Sequence, residues 1–464
     1  MLSLRETAID ARNDHSFFMI ILCKKKKKGM IISMEIISKQ STLCGSIAVP
    51  GSKSHTIRAV LLAAMAEGTS VIRNPLTSLD CQSAMHVADM FGAKTEIKPD
   101  LWTVTGVCGG QLRVPDNYVD CGNSGTTAYF AASMAALIDG YTMLTGDEQI
   151  RRRPIQPVLS AIEQLGGTAF TSRPGVNACP VIIKGKMKGG KVKFKKSLSQ
   201  FVSSILLSSP LLELDTEIIN EDPLEKPYIQ LSIDWMKRYG VQLAEDSGDY
   251  TYFKVKGRQF YKAAETTVPA DWSSVAFPLA AGVITPSKIT ITDVDFNDSQ
   301  GDKAVVDHLI AMGADIIKDT QNNRMVITGG KELKGGLTID LTDIPDSLPA
   351  LSVVAACAQG ETKFTGLSHV RLKETDRVEI MTQELTKVGA DVYNGPDYMV
   401  VRGGRPLTGT TVNSHDDHRI AMAMTVCGLF AKGEMRVLDG ECAAVSFPTF
   451  FSVMKSLGAN IDTQ

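Results

Sequence analysis

No two of the nine cysteines stand at CxxC spacing; they are scattered, and several, such as Cys357 and Cys427, sit inside apolar runs of helical character. That excludes a paired-cysteine zinc site and fits a reduced, cytoplasmic setting. Excess charge is missing too. With 49 Lys and Arg against 51 Asp and Glu, the formal net charge of −2 gives neither nucleic acid nor a membrane surface a global attraction. No apolar run is long enough to span a bilayer: Phe17 to Cys23 is far too short. The lysines beside it, Lys24 to Lys28, follow the apolar stretch, whereas a secretory signal carries its charge first. We expect residues 1–33 to be a disordered tail, with the folded chain starting near Met34. Deleting them is expected to leave melting temperature and turnover unchanged, and a large loss of either in the truncated chain would refute this.

What is present, above all, is repetition. An apolar residue followed by glycine closes a helix and precedes a strand at Phe91-Gly92, Leu165-Gly166, Tyr239-Gly240, Met312-Gly313, Val388-Gly389 and Leu457-Gly458, at intervals of 69 to 76 residues. On the same beat, helices that are apolar nearly all round start near Lys53, Ser124, Ser199, Asp271, Asp346 and Asp417, each followed by a strand. Six units result, each reading as apolar helix, strand, amphipathic helix, glycine and further strands. Three apolar helices buried at a common centre make one domain, so six units make two.

The polar starts of these helices are where chemistry concentrates. A helix N-terminus has free N–H groups and the positive end of a dipole, and Lys53 and Arg58 add full charges to the first. Asn123, Gly125 and Thr126 open the second with small groups that let a ligand approach, and Arg153 precedes an amphipathic helix. Lys373-Glu374-Thr375-Asp376-Arg377 reads as the start of another amphipathic helix with Glu374 and Arg377 on one face. His415-Asp416-Asp417-His418-Arg419 has the residue types of a metal cluster but no partner motif, and Arg419 beside His418 argues for an anion and a proton carrier. Taken singly, each of these is equally compatible with a capped helix and solvated charges.

Taken in order, the motifs PGSKSHTIR, GNSGTT, RRRP, SQF, EKPY, PADWSS, IPDS, LKETDR, DDHR and SFP resemble those of the 5-enolpyruvylshikimate-3-phosphate synthases, from about Met34 to the C-terminus. The resemblance implies an inside-out α/β barrel of two domains, each of three βαβαββ units: residues 34–52 with 270–464, and residues 53–269. It implies transfer of the enolpyruvyl group of phosphoenolpyruvate to the 5-hydroxyl of shikimate 3-phosphate by addition and elimination, with release of phosphate and with no metal or organic cofactor. Lys53, Gly125, Arg153, Gln200, Arg377, His418 and Arg419 would surround phosphoenolpyruvate, while Ser54, Arg58, Thr126, Ser199, Tyr228, Asp346 and Lys373 would hold the other substrate, beside Asn123. Asp346 is the candidate base at the attacking hydroxyl; Glu374 and Lys53 are candidates for proton delivery and return, with His418 beside them. A monomer is expected, with small-molecule substrates and neither nucleic acid nor membrane as partner.

Several residues depart from the family pattern. Leu198 and Glu225 stand in place of phosphate-contacting serines, His369 in place of an asparagine, Tyr129 of an arginine and Val445 of a lysine. A carboxylate beside a phosphate requires a cation between them, for which Lys226 or Lys196 is the expectation. The departures leave two other readings: a paralogue acting on a different cyclic alcohol, and a non-catalytic anion-binding protein on the same scaffold.

Overall fold

The six glycines that close the units, Gly92, Gly166, Gly240, Gly313, Gly389 and Gly458, all adopt positive φ between 84° and 106°, the left-handed turn that releases a helix into a strand. The computed structural model describes residues 34–108 and 111–464, and the expectations for residues 1–33 lie outside them. The apolar helices run over Lys53–Met65, Gly125–Ala135 and Ser199–Ser208, then Trp272–Ile284, Leu348–Cys357 and His418–Gly428. They are buried along almost their whole length, as an all-round apolar surface requires.

Each unit contributes a four-stranded mixed sheet. In the third, Gly190–Lys195 runs parallel to Thr216–Glu221, which pairs antiparallel with Tyr252–Val255, aligning the buried Val192, Ile218 and Phe253. Lys191, Lys193 and Lys195 alternate with them on the solvent side.

Chain order and sheet order differ at the closures. Glu265–Thr267 pairs parallel to Thr69–Arg73, so the end of the 53–269 segment completes its own first sheet. The first strand, Ile36–Lys39, lies between Glu434–Leu438 and Asn460–Thr463, antiparallel to both. Two hydrophobic cores follow, one running from Ile57 to Val268, the other built from Ile36 to Val49 and Ala270 to Ile461.

Between the cores two strands of chain pass side by side. Ser52 N donates to Pro269 O at 2.8 Å and Asp271 N to Pro50 O at 3.0 Å. A Cβ on Gly51 would lie 2.2 Å from Asn74 O, which explains the glycine of Pro50-Gly51-Ser52. The crossing leaves the N-termini of the apolar helices of both halves facing one seam. Among the described residues no helix is long and apolar enough to cross a membrane.

Candidate active site

The helix starts bring cations and carboxylates together at the seam, and one of these pairs crosses it. Lys53 Nζ lies 3.1 Å from Asp80 Oδ2. Arg153 Nη2 is 2.8 Å from Glu374 Oε1 in the other half, an ion pair that misses the hydrogen-bond direction. Arg377, only 1% exposed, gathers three carboxylates: Asp417 through Nε at 2.7 Å, Asp346 through Nη1 at 2.8 Å, and Glu374 through Nη2 at 2.5 Å. Arg419 Nη2 takes the second oxygen of Asp346 at 3.0 Å. Asp417 also caps its own helix, accepting from Arg419 N at 3.0 Å, so one side chain fixes both the helix end and Arg377.

Among the described residues, several buried polar atoms in this cluster have no hydrogen-bond partner: Arg153 Nε, Arg419 Nε and both ring nitrogens of His418. Buried donors left unpaired are costly, so their convergence at positive helix ends marks a place built for an anionic ligand. The protonation states fit that use. Burial works against the charge of Lys53, but Asp80 and Glu374 outweigh it and hold the ammonium above its ordinary pKa. Burial would likewise raise Asp346 and Glu374, yet Arg419, Lys373 and Arg377 drive the first well below the carboxylate range, and Arg153 and Arg377 the second. Burial, with Lys53 alongside, keeps His418 neutral.

The depressed carboxylates tie stability to pH. Their contribution is present above about pH 4, where the unfolded chain's carboxylates are ionised, and is lost as pH falls through the lower native values. The melting temperature is therefore expected to fall between pH 5 and pH 3 more steeply in the wild type than in Asp346→Asn. Equal slopes would refute the depressed pKa.

Residues 37–454 match the family model of EPSP synthase (3-phosphoshikimate 1-carboxyvinyltransferase). The chain belongs to the EPSP synthase family. It is 43% identical to the 3-phosphoshikimate 1-carboxyvinyltransferase of Ruminiclostridium cellulolyticum, with 91% of this chain and 98% of that protein covered. To that of Methanocaldococcus jannaschii it is 42% identical, covering 92% and 99%. The solved EPSP synthase of Acinetobacter baumannii superposes with a TM-score of 0.78 at 26% identity, covering 93% of this chain and all of that one. The fold expected from the six units is thus the EPSP synthase fold.

Within that fold the candidate residues divide. Lys53, Arg153, Asp346, Glu374, Arg377, His418 and Arg419 form the cluster described. Gln200 donates to Thr126 at 2.8 Å, and the Tyr228 hydroxyl donates to Asp302 at 2.5 Å, tying candidates to the same seam. Gly125 lies against Arg153, whose Nη1 would be 2.7 Å from an added Cβ. Ser54 contributes its carbonyl to Arg58 Nη1 at 3.0 Å.

Two candidates are engaged elsewhere. Arg58 is turned inward, donating to Tyr228 O at 3.1 Å and Ser232 Oγ at 2.9 Å over the Phe130 ring, and burial lowers its pKa to about 10. Asn123 donates to Asp147 at 2.6 Å.

The cluster also corrects two expectations. The helix after Lys373 starts only at Arg377, because Asp376 caps it by accepting from Glu379 N at 3.0 Å and is itself held by Arg371. The cation beside Glu225 is Lys373, neither Lys226 nor Lys196. His415 points away from His418, to Glu384 at 2.9 Å. Asp80 and Asp302 are not among the candidates, since single acidic residues whose partners are distant in sequence carry no pattern. A cavity of about 790 Å³ opens at the opposite ends of the second half's apolar helices, beside Thr285, Cys357 and Leu429. Helix carbonyls face it, the wrong polarity for a phosphate.

Proposed function

We propose that the chain transfers the enolpyruvyl group of phosphoenolpyruvate to the 5-hydroxyl of shikimate 3-phosphate and releases phosphate. The observation that carries this is the seam itself, where unpartnered donors of Arg153, Arg419 and His418 surround two partly buried, ionised carboxylates, Asp346 and Glu374. Binding of anions needs only the first set; proton transfer needs the second.

In this reading Lys53, Arg153, Arg377, Arg419, Gln200 and His418 receive the phosphate and carboxylate of phosphoenolpyruvate. Ser54, Thr126, Ser199, Tyr228 and Lys373 receive the acceptor, while Arg58 acts through Tyr228 by holding its carbonyl. As Arg377 and Arg419 turn to the incoming anions, Asp346 loses its partners and gains basicity. It then takes the hydroxyl proton as the oxygen attacks C2 of the enolpyruvyl group. Lys53, which holds its proton, delivers one to the methylene carbon. In the collapse of the tetrahedral ketal the bond to phosphate breaks and a methyl proton leaves, with ionised Glu374 as acceptor.

The two cores support the assignment of residues 34–52 with 270–464 to one domain and 53–269 to the other, closing on the substrates between them. We place the enzyme in the cytoplasm as a monomer, acting on small molecules without nucleic acid or membrane.

Two measurements bear on the site. Phosphate release from phosphoenolpyruvate should depend on shikimate 3-phosphate, and no release with both present would reject the assignment. Gly125→Ala should push Arg153 off its position and raise KM for phosphoenolpyruvate by about tenfold. An unchanged KM would remove Arg153 from the substrate's surroundings.

A further inference from the structure

Glu225 is 2% exposed and precedes the helix Lys226–Arg238 at φ 53°, in the left-handed region that a glutamate rarely adopts without fixed partners. Those partners come from both halves. Its Oε2 accepts from Ser199 Oγ at 2.7 Å, and its Oε1 is paired with Lys373 of the other half. His369 Nε2 stands 4.0 Å from the same oxygen, buried and without a hydrogen-bond partner among the described residues. Ser199 is also the first residue of a ten-residue apolar helix, whose free N–H groups add the positive end of its dipole. A hydroxyl, an ammonium, an unpartnered imidazole and a helix end thus converge on one carboxylate.

We propose that Ser199, Lys373 and His369 form an anion subsite that the chain's own Glu225 fills, so that a phosphate group enters it only by displacing Glu225. The proposal rests on the reading above for the identity of that phosphate, the one carried by the cyclic acceptor. A phosphate placed beside Glu225 would set like charges in contact around a single ammonium. The carboxylate is ionised, because Lys373 and His369 together with Ser199 outweigh the effect of burial. Leu224 N lies 3.4 Å from Ser197 O and Glu225 N 3.3 Å from Thr342 O across the seam, while Lys226 N donates to Asp343 Oδ1 at 2.9 Å, so the main chain stays in place and displacement is a rotation of the Glu225 side chain. Glu225 thereby sets how much the acceptor's phosphate contributes to binding, and serves as a specificity residue distinct from those that transfer protons.

The test is a binding cycle, by calorimetry, of shikimate 3-phosphate and unphosphorylated shikimate to the wild type, Glu225→Gln and Glu225→Asp. Glu225→Gln should bind shikimate 3-phosphate about tenfold more tightly or better, and shikimate with unchanged affinity. Glu225→Asp, which keeps the charge, should stay close to the wild type for both. Should the amide variant fail to fold, Glu225→Ser gives the same comparison. Weaker binding of shikimate 3-phosphate, or an equal shift for both ligands, would overturn the proposal. Binding that follows the cycle without phosphate release from phosphoenolpyruvate would overturn the transfer reading and leave the subsite standing. Failure of every form to bind either alcohol would overturn both.

Discussion

Glu374→Gln and Asp346→Asn should each lower kcat by about a hundredfold or more while changing substrate affinity far less. Both substitutions keep the shape of the side chain and remove its charge, so the arginines stay near their places. If these carboxylates only balanced Arg153, Arg377 and Arg419, removing one negative charge would free a cation for the substrates. Phosphoenolpyruvate would then bind more tightly and turnover would stay within a few-fold. The two roles differ in the sign of the affinity change and in the size of the rate change, and steady-state kinetics on both variants separates them. Near-normal turnover with tighter phosphoenolpyruvate binding would remove Glu374 and Asp346 from the chemistry.

The largest effect on stability is expected at Arg377. Its guanidinium holds Asp417, Asp346 and Glu374 at 1% exposure, and Arg377→Met would leave all three around an apolar side chain. Breaking a buried ion pair from one side costs about 3–5 kcal/mol, because the stranded charges keep their desolvation penalty. Asp417 has the additional task of capping His418–Gly428, so part of the cost should appear as loosening of that helix. Urea denaturation should show the loss in the second half of the chain first. Arg377→Lys should recover only part, since an ammonium cannot reach three carboxylates in the plane of a guanidinium. A midpoint unchanged in Arg377→Met would mean that the three carboxylates find other partners.

What could be read from the residues was the local part. The six glycine stops, the apolar helices and their polar starts all announce themselves within a few residues, and the fold follows from their regular spacing. What could not be read joins residues far apart. Lys373 meets Glu225, and Arg153 meets Glu374, only because the two halves face each other. Arg58 looked like an anion contact because of its place in Pro50 to Arg58, yet its helix turns it inward onto Tyr228 and Ser232. The exchange of strands at the sheet closures was equally hidden, since a strand of three residues such as Glu265–Thr267 carries no signal about which sheet it completes.

The central claim is addition followed by elimination through a species whose methylene has become a methyl group. One measurement tests it most directly: the reaction of phosphoenolpyruvate with shikimate 3-phosphate run in deuterium oxide, with the methylene of the product read by mass and by proton resonance. Lys53 would deliver solvent deuterium to that carbon and elimination would remove one of three hydrogens, so the product should carry deuterium in its enolpyruvyl methylene. A product formed at full rate with none there would contradict the account.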